Sequence, residues 1–276
     1  MVRFLAVGDW GRDGKEGQSE VAAAMGAWAD AQPAAFVVST GDNFYNFGVS
    51  GVRDRKWRTS FEEIYTQKSL QIPWYVALGN HDERGSVQAQ IDYSAKSPRW
   101  RMPARNFTVV EPERGPPLLQ LFVLDTSPFL STYRGLFSLT RVSGQDPART
   151  RDWLEKELAA STAPWKIVVG HHPVYSCGVH GDSPELVRAI VPLLERYRVP
   201  LYVNGHDHSL EHLFVGGIHY VTSGAGSRLT KVRPDPRAVF ARSTNGFFAF
   251  TVSADALEGK AIAVDGRVLS TFTLTR

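Results

Sequence analysis

Five short motifs stand where apolar runs stop: GDWG from Gly8, GDNFY from Gly41, GNHD from Gly79, GHHP from Gly170 and GHDH from Gly205. Together they offer Asp9, Asp42, Tyr45, Asn80, His171, His206 and His208 as donor residues. Any one motif alone reads as a turn, since glycine beside Asp or Asn is ordinary turn chemistry. All five in order, each built as apolar strand, glycine and then ligand, point to one site that holds two cations. The set contains carboxylates, imidazoles, an amide and a phenol but no thiolate, which argues against a soft-metal or structural zinc site. A carboxylate can bridge two cations, and Asp42 sits in the motif richest in donor atoms. His206 and His208 can face one cavity from a single turn. A phenol with a pKa of about 10 binds as phenolate at neutral pH only to a strong, hard acid. Fe(III) meets that need; Mg and Ca do not.

The elements that must position these donors are short. The runs Phe4–Val7, Phe36–Ser39, Trp74–Leu78, Ile167–Val169 and Leu201–Val203 read as strands buried on both faces. Helical spacing appears over Gln18–Ala31, Arg149–Ala160 and Ser183–Tyr197, the last opening with Ser then Pro as cap and first helical residue. Strands alternating with helices predict βαβ units and a largely parallel inner sheet. Ligands of open α/β sheets bind beyond the carboxyl ends of strands, so the five tips are expected at one edge. The motif glycines are expected to let the backbone turn sharply.

After Gly226 the pattern becomes alternating strands, Asn245–Thr251, Ala261–Val264 and Val268–Leu274, with a hairpin signal at Asp265-Gly266. This tail is expected to add antiparallel strands to a second sheet. Glu111–Pro117 and Ser127–Ala148 read as the long loops. No repeat or interdomain linker interrupts the chain, so residues 1–276 are read as one α/β domain.

The bulk properties narrow the function. With 276 residues, 43% hydrophobic and 21% charged, the chain has the composition of a globular enzyme. A net charge of +3 suits an anionic substrate, but no clustered basic tract makes a case for nucleic acid. No apolar stretch is long enough to span a membrane. Cys177 is the single cysteine, which excludes an intramolecular disulfide. The first strand starts at Val2 or Arg3 and leaves no room for a signal peptide, so the chain as it stands reads as cytoplasmic. A periplasmic or secreted location stays open if a leader was removed. Asn106-Phe107-Thr108 matches a glycosylation sequon, for which chance is the better explanation.

The five motifs, with AQIDYS (Ala89–Ser94), SPRW (Ser97–Trp100) and SGAG (Ser223–Gly226), give the chain a clear resemblance. It resembles the purple acid phosphatases of the calcineurin-like metallophosphoesterase superfamily, above all the small tartrate-resistant type, from Phe4 to about Gly226. The resemblance implies a four-layer αββα sandwich, two mixed sheets flanked by helices. It implies Fe(III) held by Asp9, Asp42, Tyr45 and His208, and a second divalent ion (Fe, Zn or Mn) held by Asp42, Asn80, His171 and His206. Asp42 would bridge. It implies an acid phosphatase that acts on small phosphate monoesters, uses a metal-bound hydroxide as nucleophile and releases inorganic phosphate. His81 and His180 match the family's histidines that contact substrate and leaving group; either, protonated, could hand a proton to the leaving alkoxide. A monomer is expected. A phosphodiesterase or nucleotide-cleaving relative with Mn or Zn is the competing enzyme, and Tyr45 speaks against it. A catalytically weak binding or redox protein on the same scaffold is the third reading, and retention of every expected ligand opposes it.

Other residues carry weaker expectations. His172 stands where close relatives commonly have Tyr and is either a third pocket histidine or a residue pointing away. Asp82 and Asp207 are expected to support the loops rather than bind metal. His212 and His219 read as surface or satisfied core groups, and Cys177 as a small buried hydrophobe. The relatives' disulfide cannot form here, which fits a reducing compartment. Ser127–Ala148 corresponds to the loop that restricts the site in animal relatives, with Tyr133 and Arg134 as candidates for the substrate entrance. The tryptophans read as core, with Trp10 the one expected to approach the site.

Overall fold

The computed structural model describes residues 1–135, 138–140, 142 and 144–276. Among the described residues, fourteen strands form two mixed seven-stranded sheets. The first sheet holds β1 (Val2–Val7), β2 (Phe36–Ser39), β3 (Trp74–Val76), β4 (Trp100–Arg101), β12 (Gly246–Val252), β13 (Ala256–Ala263) and β14 (Val268–Thr275), in the order β14-β13-β12-β1-β2-β3-β4. The second holds β5 (Phe107–Glu111), β6 (Leu119–Val123), β7 (Trp165–Val169), β8 (Leu201–Asn204), β9 (Leu210–Val215), β10 (Ile218–Ser223) and β11 (Ala238–Arg242), in the order β11-β9-β10-β8-β7-β6-β5. The helices are α1 (Gln18–Ala31), α2 (Val87–Tyr93), α3 (Ser131–Arg134), α4 (Pro147–Ala160) and α5 (Pro184–Arg196).

Alternation along each strand sorts side chains between two apolar clusters. Trp165, Ile167 and Val169 of β7 and Leu201 and Val203 of β8 join the large cluster that also contains Phe4, Phe36 and Phe250 of the first sheet. The intervening Val168 and Tyr202 pack on the other side, with Leu154 and Leu158 of α4 and Leu186 and Ile190 of α5. Both faces of these strands are therefore covered, which is why they read as unbroken apolar runs.

The topology corrects two expectations. The motif strands do not share one inner sheet: β1, β2 and β3 are parallel neighbours in the first sheet, and β7 and β8 in the second. The tail is antiparallel as expected, yet it extends the first sheet, because β12 pairs with β1, Phe4 opposite Phe250. The Asp265-Gly266 hairpin forms, with Gly266 at φ 81° and its N–H 2.9 Å from the Ala263 carbonyl.

Local caps follow the sequence in part. Asp146 accepts the Ala148 N–H at 2.9 Å and starts α4 two residues before the expected Arg149. Ser183 sits at the cap position of α5, but its side chain makes no capping bond. Within Ser127–Ala148 the chain forms a single turn at Ser127–Phe129 and then α3; residues 136, 137, 141 and 143 lie outside the described residues. The Asn106 amide nitrogen lies 3.4 Å from Thr150 Oγ1 and its oxygen accepts the Asp125 N–H at 2.9 Å, so this sequon side chain is already engaged. Among the described residues no helix is long and apolar enough to cross a membrane.

Candidate metal centre

All five motif loops leave the carboxyl ends of their strands: Asp9 after β1, Asp42 and Tyr45 after β2, Asn80 and His81 after β3, His171 after β7, and His206 and His208 after β8. Three of these residues adopt left-handed backbone, Asp9 at φ 60°, Asp42 at 52° and His206 at 69°. Short polar side chains tolerate that conformation better than most L-residues. The motif glycines serve chiefly close approach. A Cβ on Gly79 would strike the Asp42 carboxylate, and one on Gly205 would strike that of Asp9.

The donors fall into two adjoining groups. Tyr45 Oη lies 3.0 Å from Asp9 Oδ1 and 3.1 Å from His208 Nε2, and His208 Nε2 lies 3.5 Å from Asp9 Oδ1. In the second group His171 Nε2 is 3.2 Å from Asn80 Oδ1, 3.2 Å from His206 Nδ1 and 3.5 Å from Asp42 Oδ1. Donor atoms of Asp9, Asp42 and His171 all lie within 4.8 Å of one another, which joins the groups. Donors held about 2.1 Å from a cation at right angles stand about 3.0 Å apart, so the spacing suits a metal.

The chemistry of the second group suits one too. His171 Nδ1 faces the Thr40 carbonyl at 2.9 Å, which assigns its proton there and leaves a lone pair on Nε2 of the neutral ring. That lone pair meets the oxygens of Asn80 and Asp42, an arrangement of acceptors that a cation satisfies. Burial opposes charge on His171, yet Asp42 and Asp9 favour positive charge beside them strongly enough to push the imidazole up to about 9; a cation at Nε2 would take the place of that proton. Burial pushes Asp9 well above the usual carboxylate range, with His171 opposing and Asp42 adding to it. Asp42 is held well below that range despite burial, because His171 and His81 stand beside it. Burial, Asp42 and Asp9 raise the Tyr45 phenol. Burial drives His206 well below its ordinary value and brings His208 down to about 4, so both imidazoles stay neutral and able to ligate in mild acid.

Two histidines flank these donors. The His81 N–H donates to Asp42 Oδ1 at 2.8 Å, its Nδ1 faces the Asn46 carbonyl at 2.7 Å, and its ring sits 4.4 Å from that of Tyr45. The His180 ring lies 4.0 Å from that of His206, and its Nδ1 is 2.8 Å from Asp207 Oδ1. Asp207 is buried and also accepts the Ser176 hydroxyl at 2.6 Å, so it orients His180 and leaves Nε2 for the cavity. Asp82 is buried between two motif loops, taking the Gly79 N–H at 2.9 Å and the Asn43 N–H at 3.1 Å. Both aspartates support the loops, as expected. Over the donors opens a cavity of about 540 Å³ whose wall includes Asn80, His81, His180, Tyr133 and the arginines Arg12, Arg84 and Arg228.

Several expectations are resolved. His172 is fully buried behind the donors and does not line the cavity, its ring 4.5 Å from that of His206 and its Nδ1 2.9 Å from Thr126 Oγ1. Tyr133 lines the cavity; Arg134 does not. Trp10 turns away from the site into the core, where its indole donates to Ser39 Oγ at 2.8 Å and packs among Phe44, Phe61, Tyr65, Trp74 and Trp100. Neighbouring residues at a strand end point to opposite faces, so Asp9 facing the site sends Trp10 inward. Cys177 is buried, and its thiol is directed at Glu211 Oε2, 3.2 Å away. His212 is buried and pairs with His219 at 2.8 Å, but its Nδ1 has no partner. The cavity arginines were not anticipated; Arg84, three residues past His81 in the same motif loop, was the one within reach of sequence reasoning.

Similarity to known proteins gives the family. The Calcineurin-like phosphoesterase family matches residues 2–210. Purple acid phosphatase 3 of Arabidopsis thaliana is 40% identical over 97% of this chain and 76% of its own length. Tartrate-resistant acid phosphatase type 5 of Homo sapiens is 36% identical over 90% of this chain and 79% of its own. Among solved structures, GAP50, described as the anchor in the inner membrane complex of Plasmodium, superposes with a TM-score of 0.87 at 26% identity, covering 99% of this chain and 88% of its own. The purple acid phosphatase PPD1 from yellow lupin (Lupinus luteus) shares the fold at a TM-score of 0.70 and 18% identity, over 100% of this chain and 54% of its own. The chain therefore belongs to the calcineurin-like phosphoesterases and, within them, to the purple acid phosphatases, metal-dependent hydrolases of phosphate esters.

Proposed function

We propose that this acid phosphatase hydrolyses small phosphate monoesters with Fe(III) in one donor group and a divalent ion in the other. The observation that carries the reading is the ligand chemistry of the two groups. Asp9, Tyr45 and Asp42 gather with His208, and on giving up their protons to a metal they would supply three anionic ligands beside one imidazole, which suits a trivalent ion. Asn80, His171 and His206 would bind as neutral ligands and share Asp42, which suits Fe, Zn or Mn in the divalent state. When bound, such a pair supplies Lewis-acid charge that steadies a phosphoryl group and activates water.

The protein groups act around that centre. Asp42, placed between the two donor groups, is the residue that would be shared by both ions. His81 is aimed at the cavity by the Asn46 carbonyl. Asp207 holds the Nδ1 proton of His180, so Nε2 is the atom that holds a second proton for the leaving oxygen. Phosphate and an alcohol are the products.

Metal analysis and a visible spectrum of the purified protein test this reading, together with hydrolysis of nitrophenyl phosphate. Iron with a visible phenolate band is expected, and Tyr45→Phe should abolish the band. A band that survives in Tyr45→Phe overturns the Tyr45 assignment. Iron-free protein active on diesters supports a Mn or Zn phosphodiesterase instead. Metal-loaded but inert protein supports a scaffold role, for which the likeness to GAP50 is the favouring observation.

A further inference from the structure

We propose that Arg84 forms a second anion subsite in the cavity, so that preferred substrates are phosphate esters carrying another phosphate or carboxylate group. The inference rests on the phosphatase reading above and names the substrate class of that same site. Arg84 lines the cavity with His81, and its Nη1 lies 3.2 Å from His81 Nδ1 and 3.4 Å from the Asn46 carbonyl. That carbonyl is already the nearer partner of His81 Nδ1, at 2.7 Å. A ring nitrogen that donates there has no lone pair for Arg84. The Arg84 Nε is buried and has no acceptor among the described residues. Among the described residues no carboxylate pairs with Arg84, whereas Arg12 and Arg228 each face Glu16, at 3.8 Å and 3.9 Å.

A guanidinium carries five donors in a planar fork that fits two oxygens of one anion. Buried donors without partners are rare in folded proteins, so a guanidinium that lines the cavity with no carboxylate against it has donors to spare for a ligand oxygen. The space is adequate. A cavity of about 540 Å³ has room for about eighteen waters at about 30 Å³ each, several times what one orthophosphate fills. Arg12, stacked 3.7 Å over the Tyr45 ring, adds positive charge on that side. A neutral leaving group would leave the fork of Arg84 unanswered; a second anion answers it.

Hydrolysis itself is unaltered by this contact. Water adds through oxygen to phosphorus, the P–O bond to the leaving oxygen breaks (an ester bond in phosphoglycolate, an anhydride bond in pyrophosphate), and the leaving oxygen keeps the bonding pair and gains a proton. Phosphoglycolate thus yields phosphate and glycolate, and pyrophosphate yields two phosphates.

The test compares kcat/KM for ethyl phosphate, phosphoglycolate and pyrophosphate in the metal-loaded wild type and in Arg84→Gln and Arg84→Lys. Ethyl phosphate lacks the second anion; the other two carry it as carboxylate or phosphate. The ratio of each substrate with a second anionic group to ethyl phosphate should fall about tenfold or more in Arg84→Gln, mainly through KM, as for a lost charge-assisted hydrogen bond. Arg84→Lys should recover part of it. The substrate with the larger fall identifies the preferred group. Ratios that stay constant, even if all three rates drop together, overturn the subsite and leave Arg84 as a support for His81. If the wild type turns over none of the three, the phosphatase reading fails by itself. Calorimetric titration of phosphoglycolate into wild type and Arg84→Gln then decides the subsite, which requires binding that the variant loses.

Discussion

At the scale of single residues, side chains one position apart do unrelated work. Asp9 faces the centre while Trp10 fills the core; His206 and His208 serve different donor groups while Asp207 between them reaches His180. The donors were legible because each follows an apolar run and a glycine, a local pattern. Trp10 was misread because adjacency to a ligand says nothing about which face a side chain takes. The support for His180 was only half legible, since the Ser176 hydroxyl that steadies Asp207 is distant in sequence. Asp207→Asn should lower turnover of alkyl phosphates by about 10- to 100-fold while the metal content stays constant, because the amide no longer fixes the His180 tautomer. Nitrophenyl phosphate, with its better leaving group, should be affected less. Equal losses on both substrates would assign Asp207 to loop integrity rather than to proton delivery.

At the scale of elements, strand pairing was the least legible feature. β1, β2, β3, β7 and β8 are all short apolar runs, and nothing local says that three belong to one sheet and two to the other. Pairing is decided by partners far along the chain, such as β12 beside β1. The helices fared better, since α1 occupies the expected Gln18–Ala31 and its buried Val21, Met25 and Ala29 follow helical spacing. The pair formed by His212 on β9 and His219 on β10 has a consequence for acid stability. Burial brings His212 down from 6.5 to about 4, with His219 adding to the shift. Below about pH 6.5 the unfolded chain takes up a proton that the folded one resists, so stability is full above that pH and declines as pH falls toward about 4. A shift of this size corresponds to on the order of 3 kcal/mol. His212→Leu should flatten the fall of Tm between those pH values; an unchanged slope in thermal melts would place the acid sensitivity elsewhere.

At the scale of the whole molecule, the candidate centre is assembled from both sheets. Asp9, Asp42, Tyr45 and Asn80 come from the first, and His171, His206 and His208 from the second. A cation pair held by both stabilises only the folded arrangement, so binding free energy adds to folding free energy. Chelation should lower Tm by about 5 °C or more, taking roughly 2–4 °C per kcal/mol for a chain in this size class. Differential scanning calorimetry of metal-loaded and stripped protein checks this, and equal Tm values would show that the sheets hold together without the ions.

The left-handed backbone at Asp9, Asp42 and His206 limits how this chain can change over generations. Most side chains would strain those positions, whereas Asn and Gly accept them readily. A randomised library at positions 9, 42 and 206, screened only for soluble folded protein, should return chiefly Asp, Asn, His and Gly. A lineage released from selection for catalysis would then keep its shape while drifting toward amides and glycines at these sites, and their appearance in a descendant would mark lost chemistry on an intact fold.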